Sequence, residues 1–172
     1  MFIDYIRTIN DFPSPGIKFK DITPLLADKE MFQKAIKAMA EPFMDKGITH
    51  VVSMEARGFI LGSAVAYHLG AGFIPLRKAG KLPSFTHRIE SVKEYGCDVF
   101  EANLINLDST SNVLIIDDVL ATGGTAKAAF NLVQGVNALV MGFSFLLELV
   151  YLKGRESIPK NLQVNSLIQV QD

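Results

Sequence analysis

A single stretch, residues 113–125, constrains the fold of this chain more than any other. It reads Val-Leu-Ile-Ile-Asp-Asp-Val-Leu-Ala-Thr-Gly-Gly-Thr, and an Ala-rich helical pattern follows it directly. An apolar, β-branched run of this kind is typical of a buried strand. In open α/β sheets, ligands bind where strands end, and the N–H groups at a helix start attract anions. The stretch therefore predicts a strand, a phosphate-binding turn and a helix, in that order.

A plainer interpretation makes Thr122 the N-cap of a helix beside two solvated aspartates. Against it, adjacent carboxylates at the end of a buried strand are costly to desolvate unless something uses their charge. The turn is not a Walker A loop, because no Gly-Lys-Ser or Gly-Lys-Thr sequence follows at the required spacing. The order of residue types favours an anion site of another kind.

Length, charge and cysteine content narrow the class of protein. A chain of 172 residues suits one domain with a substantial core. The formal net charge of −1 gives no reason to expect a nucleic-acid partner. The single Cys97 excludes an internal disulfide and a cysteine-based zinc site, which fits a cytoplasmic location. We expect no signal peptide, and no membrane span, because the most apolar stretch, residues 138–152, is shorter than the roughly 20 residues required.

Apolar spacing and turn residues predict that strands and helices alternate from residue 48 to residue 147. Such alternation is typical of a mainly parallel, twisted sheet with helices on both faces, the α/β class. Asp28 is expected to cap a helix that Pro42 kinks or ends early and Gly47 closes. The predicted helices cover residues 1–9, 29–46, 58–69 and 122–134, and the predicted strands cover 17–24, 48–54, 73–76, 91–96, 98–104, 113–118, 138–147 and a half-exposed 162–170.

Two further motifs carry cations. The turn Glu55-Ala56-Arg57-Gly58 places Arg57 at a predicted helix start, where it could pair with a phosphate through two nitrogens; a surface ion pair is the open alternative. Arg77, Lys78 and Lys81 could neutralise a pyrophosphate, or could be a solvated run of charges. A long irregular stretch such as residues 77–89 is more often a functional lid than a plain connection.

A third motif is suited to a flat base. In the turn-rich segment around residues 12–21, Phe19 could stack on a base and Lys20 could donate a hydrogen bond to a ring nitrogen. The alternative is that Phe19 belongs to the core. The three histidines are scattered along the chain, and no pair of them has metal-ligand spacing.

Taken in order, these motifs resemble those of the type I phosphoribosyltransferases, and within them the branch that acts on adenine. The similarity covers roughly residues 1–155, and the tail matches weakly. The resemblance implies the type I phosphoribosyltransferase fold as a single domain over residues 1–172, with a small N-terminal hood over 1–27 that recognises the base. It also implies that a homodimer transfers ribose 5-phosphate from phosphoribosyl pyrophosphate to adenine in purine salvage. Mg²⁺ would be held mainly by substrate oxygens.

The resemblance also implies roles for individual residues. Asp117 and Asp118 would lie beside the ribose, and one of them would hold its hydroxyls. A flexible catalytic loop over 78–90 would close over the leaving group, with Lys78 stabilising its charge. Glu94 is a candidate to assist loss of the base proton. The 5′-phosphate would be held by Ala121, Thr122, Gly123, Gly124 and Thr125. The pyrophosphate would be held by Glu55, Ala56 and Arg57, around a cis peptide. The base would be held by Lys18, Phe19 and Lys20.

The chain departs from the family pattern at three positions. Lys20 stands where Arg is usual, so a planar fork is lost at the edge of the base. Ala79 replaces a usual Pro, and Ser91 replaces a usual Tyr, both in the loop. Two other functions therefore stay open: the same transfer to a 6-oxopurine such as hypoxanthine, guanine or xanthine, and a ligand sensor of the same fold without catalysis.

Overall fold

In the computed structural model, which describes residues 1–83, 87–93 and 96–171, nine strands and four α-helices follow one another along the chain. Short 3₁₀ turns fill several of the connections. The strands are β1 (Arg7–Asn10), β2 (Lys18–Asp21), β3 (His50–Met54), β4 (Gly72–Lys78), β5 (His87–Lys93), β6 (Gly96–Ala102), β7 (Asn112–Leu120), β8 (Leu139–Leu149) and β9 (Gln163–Val170), and the helices are α1 (Thr23–Ala27), α2 (Lys29–Ala40), α3 (Arg57–Leu69) and α4 (Gly124–Gln134).

Seven of the strands form one sheet in the order β5-β6-β4-β3-β7-β8-β9. The neighbours from β4 to β9 are parallel, whereas β6 and β5 add an antiparallel hairpin at one side. This confirms the predicted α/β fold with a mainly parallel sheet. The half-exposed strand predicted near the tail is β9, and it lies at the opposite edge.

The apolar run of β7 is buried on both faces of the sheet. Val113 and Ile115 belong to the core on the side of α4, whereas Leu114 and Ile116 belong to the core on the side of α2 and α3. All four side chains are fully buried. A strand covered by helices on both sides needs apolar residues without alternation, which is why this run lacks the period of two. Among the described residues, no helix has both the length and the apolar character needed to cross a membrane.

The helix predicted over residues 1–9 is wrong. Residues Phe2–Tyr5 form only a 3₁₀ turn, and β1 then pairs antiparallel with β2 in a separate two-stranded sheet. The N–H of Thr23 donates to the Asp21 carboxylate at 2.9 Å, and Nε of Arg7 donates to the same carboxylate at 3.1 Å. These hydrogen bonds, that of Thr23 first, lower the pKa of Asp21 to about 2. Pairing with a strand about ten residues away overrides the local helical spacing.

Other elements also differ from the predictions. Asp28 caps α2 as expected, accepting from the N–H groups of Glu30 and Met31, but α2 ends at Ala40 instead of residue 46. Pro42 explains the early end, because proline cannot donate the next helical hydrogen bond. The short helix α1 was not predicted. Residues 87–89, predicted to be irregular, belong to β5 and pair with β6.

Candidate active site

The carboxyl ends of three neighbouring parallel strands bring most of the predicted site residues together. Glu55 follows β3, Lys78 ends β4, and Asp117 and Asp118 lie near the end of β7. Since β4, β3 and β7 are adjacent and parallel, these ends share one edge of the sheet. This is the edge where open α/β sheets bind their ligands.

The turn after β7 has the geometry of an anion cradle. Gly123 has a φ of 81°, which favours glycine, and α4 begins at Gly124. No described residue accepts a hydrogen bond from the backbone N–H groups of residues 122–126. A cavity of about 60 Å³ lies here, lined by Asp117, residues 119–126 and Phe145. Unpartnered N–H groups at a helix start bind anions such as phosphate.

The two aspartates are enclosed by protein and shift each other's titration. Asp118 is buried, and Asp117, which is half-buried, accepts a hydrogen bond from the Asp118 N–H at 2.9 Å. Burial, followed by the charge of Asp118, raises the pKa of Asp117 well above its usual value. Burial also raises the pKa of Asp118, although the Arg57 guanidinium opposes that effect.

Gly58 allows α3 to start directly against this acidic pair. A Cβ on Gly58 would lie 2.6 Å from Oδ1 of Asp117 and 3.0 Å from Oγ of Ser53, so no side chain fits there. The close approach brings Nε of Arg57 to 2.7 Å from Oδ2 of Asp118. That contact is out of line for a hydrogen bond, and Nη1 of Arg57 and Oδ2 of Asp118 are buried without a hydrogen-bond partner among the described residues. Nη1 of Arg57 is therefore a donor that no described residue uses, whereas Oδ2 of Asp118 is ion-paired with Arg57.

Arg57 also connects the N-terminal segment to the acidic pair. Its guanidinium lies over the ring of Phe19, 4.8 Å from the ring centre, and Phe12 packs edge-on against the same ring at 5.2 Å. Phe19 is half-buried and is not part of the main core, so the core alternative is wrong. The amino group of Lys20 donates to Oγ1 of Thr8 at 3.0 Å, and Lys18 is exposed.

The Glu55 carboxylate lies next to the start of the basic loop. The Glu55–Ala56 peptide bond is cis, as the resemblance implies. Glu55 accepts from Nε of Arg77 at 2.9 Å and from the N–H of Lys78 at 2.8 Å. Burial raises the pKa of Glu55, but these two donors outweigh it and hold that pKa below its usual value. Of the three cations predicted near a pyrophosphate, Arg77 is thus engaged by the Glu55 carboxylate.

A second carboxylate anchors the next part of the loop. Glu101 is fully buried and accepts from the N–H groups of Lys81 and Leu82, both at 3.0 Å. Arg88 lies 3.2 Å from its other oxygen. The N–H of Leu82 lowers the pKa of Glu101 most, against the effect of burial. The loop therefore leaves the sheet from a fixed base at residues 77–82.

Comparison with known proteins places the chain in a family. A model of the phosphoribosyl transferase domain matches residues 21–162. Adenine phosphoribosyltransferase of Acidothermus cellulolyticus is 48% identical over 166 residues, covering 96% of this chain and 93% of the relative. That of Thermobifida fusca is 51% identical over 154 residues, covering 90% of this chain and 88% of the relative.

The chain belongs to the adenine phosphoribosyltransferase family. Solved structures of family members agree with this in three dimensions. The Rhodothermus marinus enzyme superposes with a TM-score of 0.94 at 47% identity, covering 98% of this chain and 96% of the other. The Saccharomyces cerevisiae enzyme, solved with an imino-altritol bisphosphate and adenine, gives 0.89 at 40% identity, covering 96% of each chain. The fold is thus that of adenine phosphoribosyltransferases over nearly the full chain.

Several groups in this member of the family were not found from the sequence. Glu101 gave no signal, because a lone Glu in a strand is usually a solvated residue. Gly154 and Ser157, which contact the turn after β7, lie at the border of the weakly matching tail. Glu94, which was assigned to base deprotonation, lies outside the described residues. Its role stays a prediction.

Proposed function

We propose that the chain is a purine-salvage enzyme that transfers the 5-phosphoribosyl group from phosphoribosyl pyrophosphate to adenine, giving AMP and pyrophosphate. The observation that carries this proposal is the position of Asp117 and Asp118, between the cradle of residues 121–125 on one side and Arg57 with Phe19 on the other. A donor with a phosphate at one end and a pyrophosphate at the other would span such a site.

The 5′-phosphate would bind the N–H groups of Thr122, Gly123, Gly124 and Thr125, with Ala121 shaping the turn. This places the ribose beside Asp117, whose side chain lines the same cavity. The reaction breaks the bond between the anomeric carbon and the pyrophosphate, so positive charge develops on the ribose ring. Carboxylates fixed in a poorly solvated site stabilise such charge more strongly than water does.

Negative charge develops on the leaving pyrophosphate at the same time. Nη1 of Arg57 is buried without a hydrogen-bond partner among the described residues and could donate to it. The exposed side chain of Lys78 lies at the mouth of the loop, 3.7 Å from Asp98. Glu55 and Ala56 would contribute through their backbone, because the Glu55 carboxylate is engaged by Arg77 and Lys78. The catalytic loop predicted over residues 78–90, whose end from residue 87 belongs to β5, would exclude water from the activated ribose when it closes over the substrate.

Adenine would stack on Phe19, with Lys18 and Lys20 at its edge. The Arg57 guanidinium lies over the Phe19 ring, so stacking on the same face requires it to turn toward the pyrophosphate. Its long side chain permits this movement. Lys20 would have to give up its bond to Thr8 in order to contact the base.

The residues present fit a magnesium ion shared with the substrate. No three acidic, histidine or cysteine side chains come together as a metal site within the described ranges. The acidic pair, Asp117 and Asp118, nevertheless supplies the carboxylate oxygens that Mg²⁺ prefers, alongside substrate phosphates. When bound, the ion would act as a Lewis acid and a template for the pyrophosphate.

The choice of adenine is tested by comparing adenine, hypoxanthine, guanine and xanthine, each with phosphoribosyl pyrophosphate and Mg²⁺. We expect adenine to have the highest kcat/KM, in agreement with the names of the family members. Lys20 can donate to a 6-oxo group, which is why the oxopurines are the appropriate competitors. Turnover of any oxopurine above that of adenine would replace this assignment with the alternative one.

We also propose that the enzyme is a cytoplasmic homodimer. The outer face of α3 supports association, because Tyr67 is 90% exposed and Ile60 is 44% exposed on the same side of the helix. Exposed apolar patches of this kind mark association surfaces in many proteins. Light scattering should give a mass near twice the 18.9 kDa of one chain, and Tyr67→Glu should lower it. A wild-type mass near one chain would contradict the dimer.

A further inference from the structure

The short segment after β8, Gly154–Ser157, packs directly under the phosphate cradle. A Cβ on Gly154 would lie 2.3 Å from the carbonyl oxygen of Ala121, and a Cβ on Gly123 would lie 2.3 Å from the carbonyl oxygen of Gly154. Oγ of Ser157 donates to the carbonyl oxygen of Thr122 at 3.1 Å. Two successive carbonyls of the cradle therefore face this segment.

The orientation of those carbonyls matters for an anion. A carbonyl oxygen that turned into the cradle would repel a phosphate, whereas carbonyls held on the far side leave the N–H groups free to donate to it. The Ala121 carbonyl lies so close to Gly154 that only the glycine hydrogen fits between them, and Ser157 donates to the Thr122 carbonyl. The segment therefore fixes the orientation of the Ala121 and Thr122 peptide planes.

The segment is itself held in place by an ion pair between the exposed Arg155 and the buried Glu148. Glu148, in β8, is 97% buried and accepts two bonds of 2.7 Å from Nε and Nη2 of Arg155. Burial raises the pKa of Glu148, but the Arg155 hydrogen bonds outweigh it, so that pKa lies below its usual value. Arg155 also donates to the carbonyl of Val164 in β9 at 3.2 Å. Glu148 is paired in register with Leu120, at the start of the cradle, so the anchor and the cradle share one level of the sheet.

We infer that Gly154 and Ser157 are positioning residues for the donor phosphate, held by the Arg155–Glu148 pair, and that this segment sets the affinity of the cradle without touching substrate. The inference deepens the proposed function and rests on it, since it takes residues 121–125 as the site of the 5′-phosphate. The contacts of Gly154 and Ser157 with the cradle carry the inference.

Ser157→Ala tests the inference with the least disturbance. It removes one donor to a cradle carbonyl, and we expect a KM for phosphoribosyl pyrophosphate about 3- to 10-fold higher, with kcat within about twofold. The dissociation constant for AMP, measured by calorimetry, should rise by the same factor, and the KM for adenine should not change. Ser157→Thr, which keeps the hydroxyl, should restore most of the affinity.

Gly154→Ala is the stronger variant, because its new methyl must displace the Ala121 carbonyl. We expect at least a tenfold loss of AMP affinity. Gly135→Ala is the matched control, since Gly135 ends the same helix α4 at an ordinary φ of −61°. Ser109→Ala, at an exposed serine, is the control for Ser157.

Unchanged AMP affinity and an unchanged KM for phosphoribosyl pyrophosphate in Ser157→Ala would overturn the inference. A lower Tm would not alter that conclusion, because it would show only that the segment stabilises the fold. Neither result would affect the proposed function, which wild-type turnover tests independently. Failure of the wild type to form AMP would overturn the proposed function itself, and the inference with it. If Gly154→Ala fails to fold, the variants Ser157→Ala and Ser157→Thr still test the inference.

Discussion

Replacing Arg57 by alanine should lower kcat/KM for phosphoribosyl pyrophosphate by about 10²- to 10³-fold, as expected for loss of one preorganised donor to developing charge. Arg57 is suited to this role because its Nη1 is buried without a hydrogen-bond partner among the described residues, and its ion pair with Asp118 is made through Nε. Steady-state kinetics with adenine held at saturation measures the effect.

Arg57→Lys separates charge from geometry. It keeps a cation near Asp118 but loses the planar fork, so we expect it to recover only part of the lost activity. Lys34→Ala, which removes an exposed cation of α2, is the control and should retain full activity. If Arg57→Ala and Lys34→Ala had equal activity, Arg57 would have no part in catalysis.

Asp117→Asn should lower kcat by about 10²-fold and at the same time stabilise the fold at neutral pH. Because the pKa of Asp117 is raised in the folded protein, the folded state holds its proton at pH values where the unfolded chain has released it. Stability from this group is therefore greatest below the usual Asp pKa and falls as pH rises toward the folded value. Asparagine keeps the oxygen that accepts the Asp118 N–H and removes the charge that desolvation disfavours.

The stabilisation should be about 1–2 kcal/mol at pH 7, or an increase in Tm of roughly 2–8 °C, and it should disappear near pH 3. Thermal unfolding of the variant and the wild type over this pH range measures the difference. Asp118→Asn is the contrasting variant, since it deprives Arg57 of its carboxylate and should give little or no stabilisation. A Tm difference for Asp117→Asn that stayed constant with pH would contradict the account of the acidic pair.

Much of the central site was predictable because its signals are local. The run before Asp117 identifies a buried strand, and the small residues that follow identify an anion turn, without knowledge of the rest of the chain. Parallel neighbours then place Glu55 and Lys78 at the same edge of the sheet, because all three strands end there. The order of motifs along the chain therefore contained most of this geometry.

What the sequence did not predict depends on contacts between distant segments. The apolar residues within 1–9 have helical spacing, yet residues 7–10 pair with β2, and that pairing cannot be deduced from the spacing. Glu101 is a single carboxylate in a strand, and only the hairpin fold brings it to the N–H groups of Lys81 and Leu82. Ser157 meets Thr122 across 35 residues, and neither residue type indicates the other.

The most direct test of the central claim is to incubate the purified protein with adenine, phosphoribosyl pyrophosphate and Mg²⁺ and to quantify the products by ³¹P NMR and chromatography. We expect AMP and pyrophosphate in equal amounts, and no AMP when EDTA removes the metal ion. Tight binding of adenine or phosphoribosyl pyrophosphate with no AMP formed would contradict it, and would instead support a ligand sensor built on this fold.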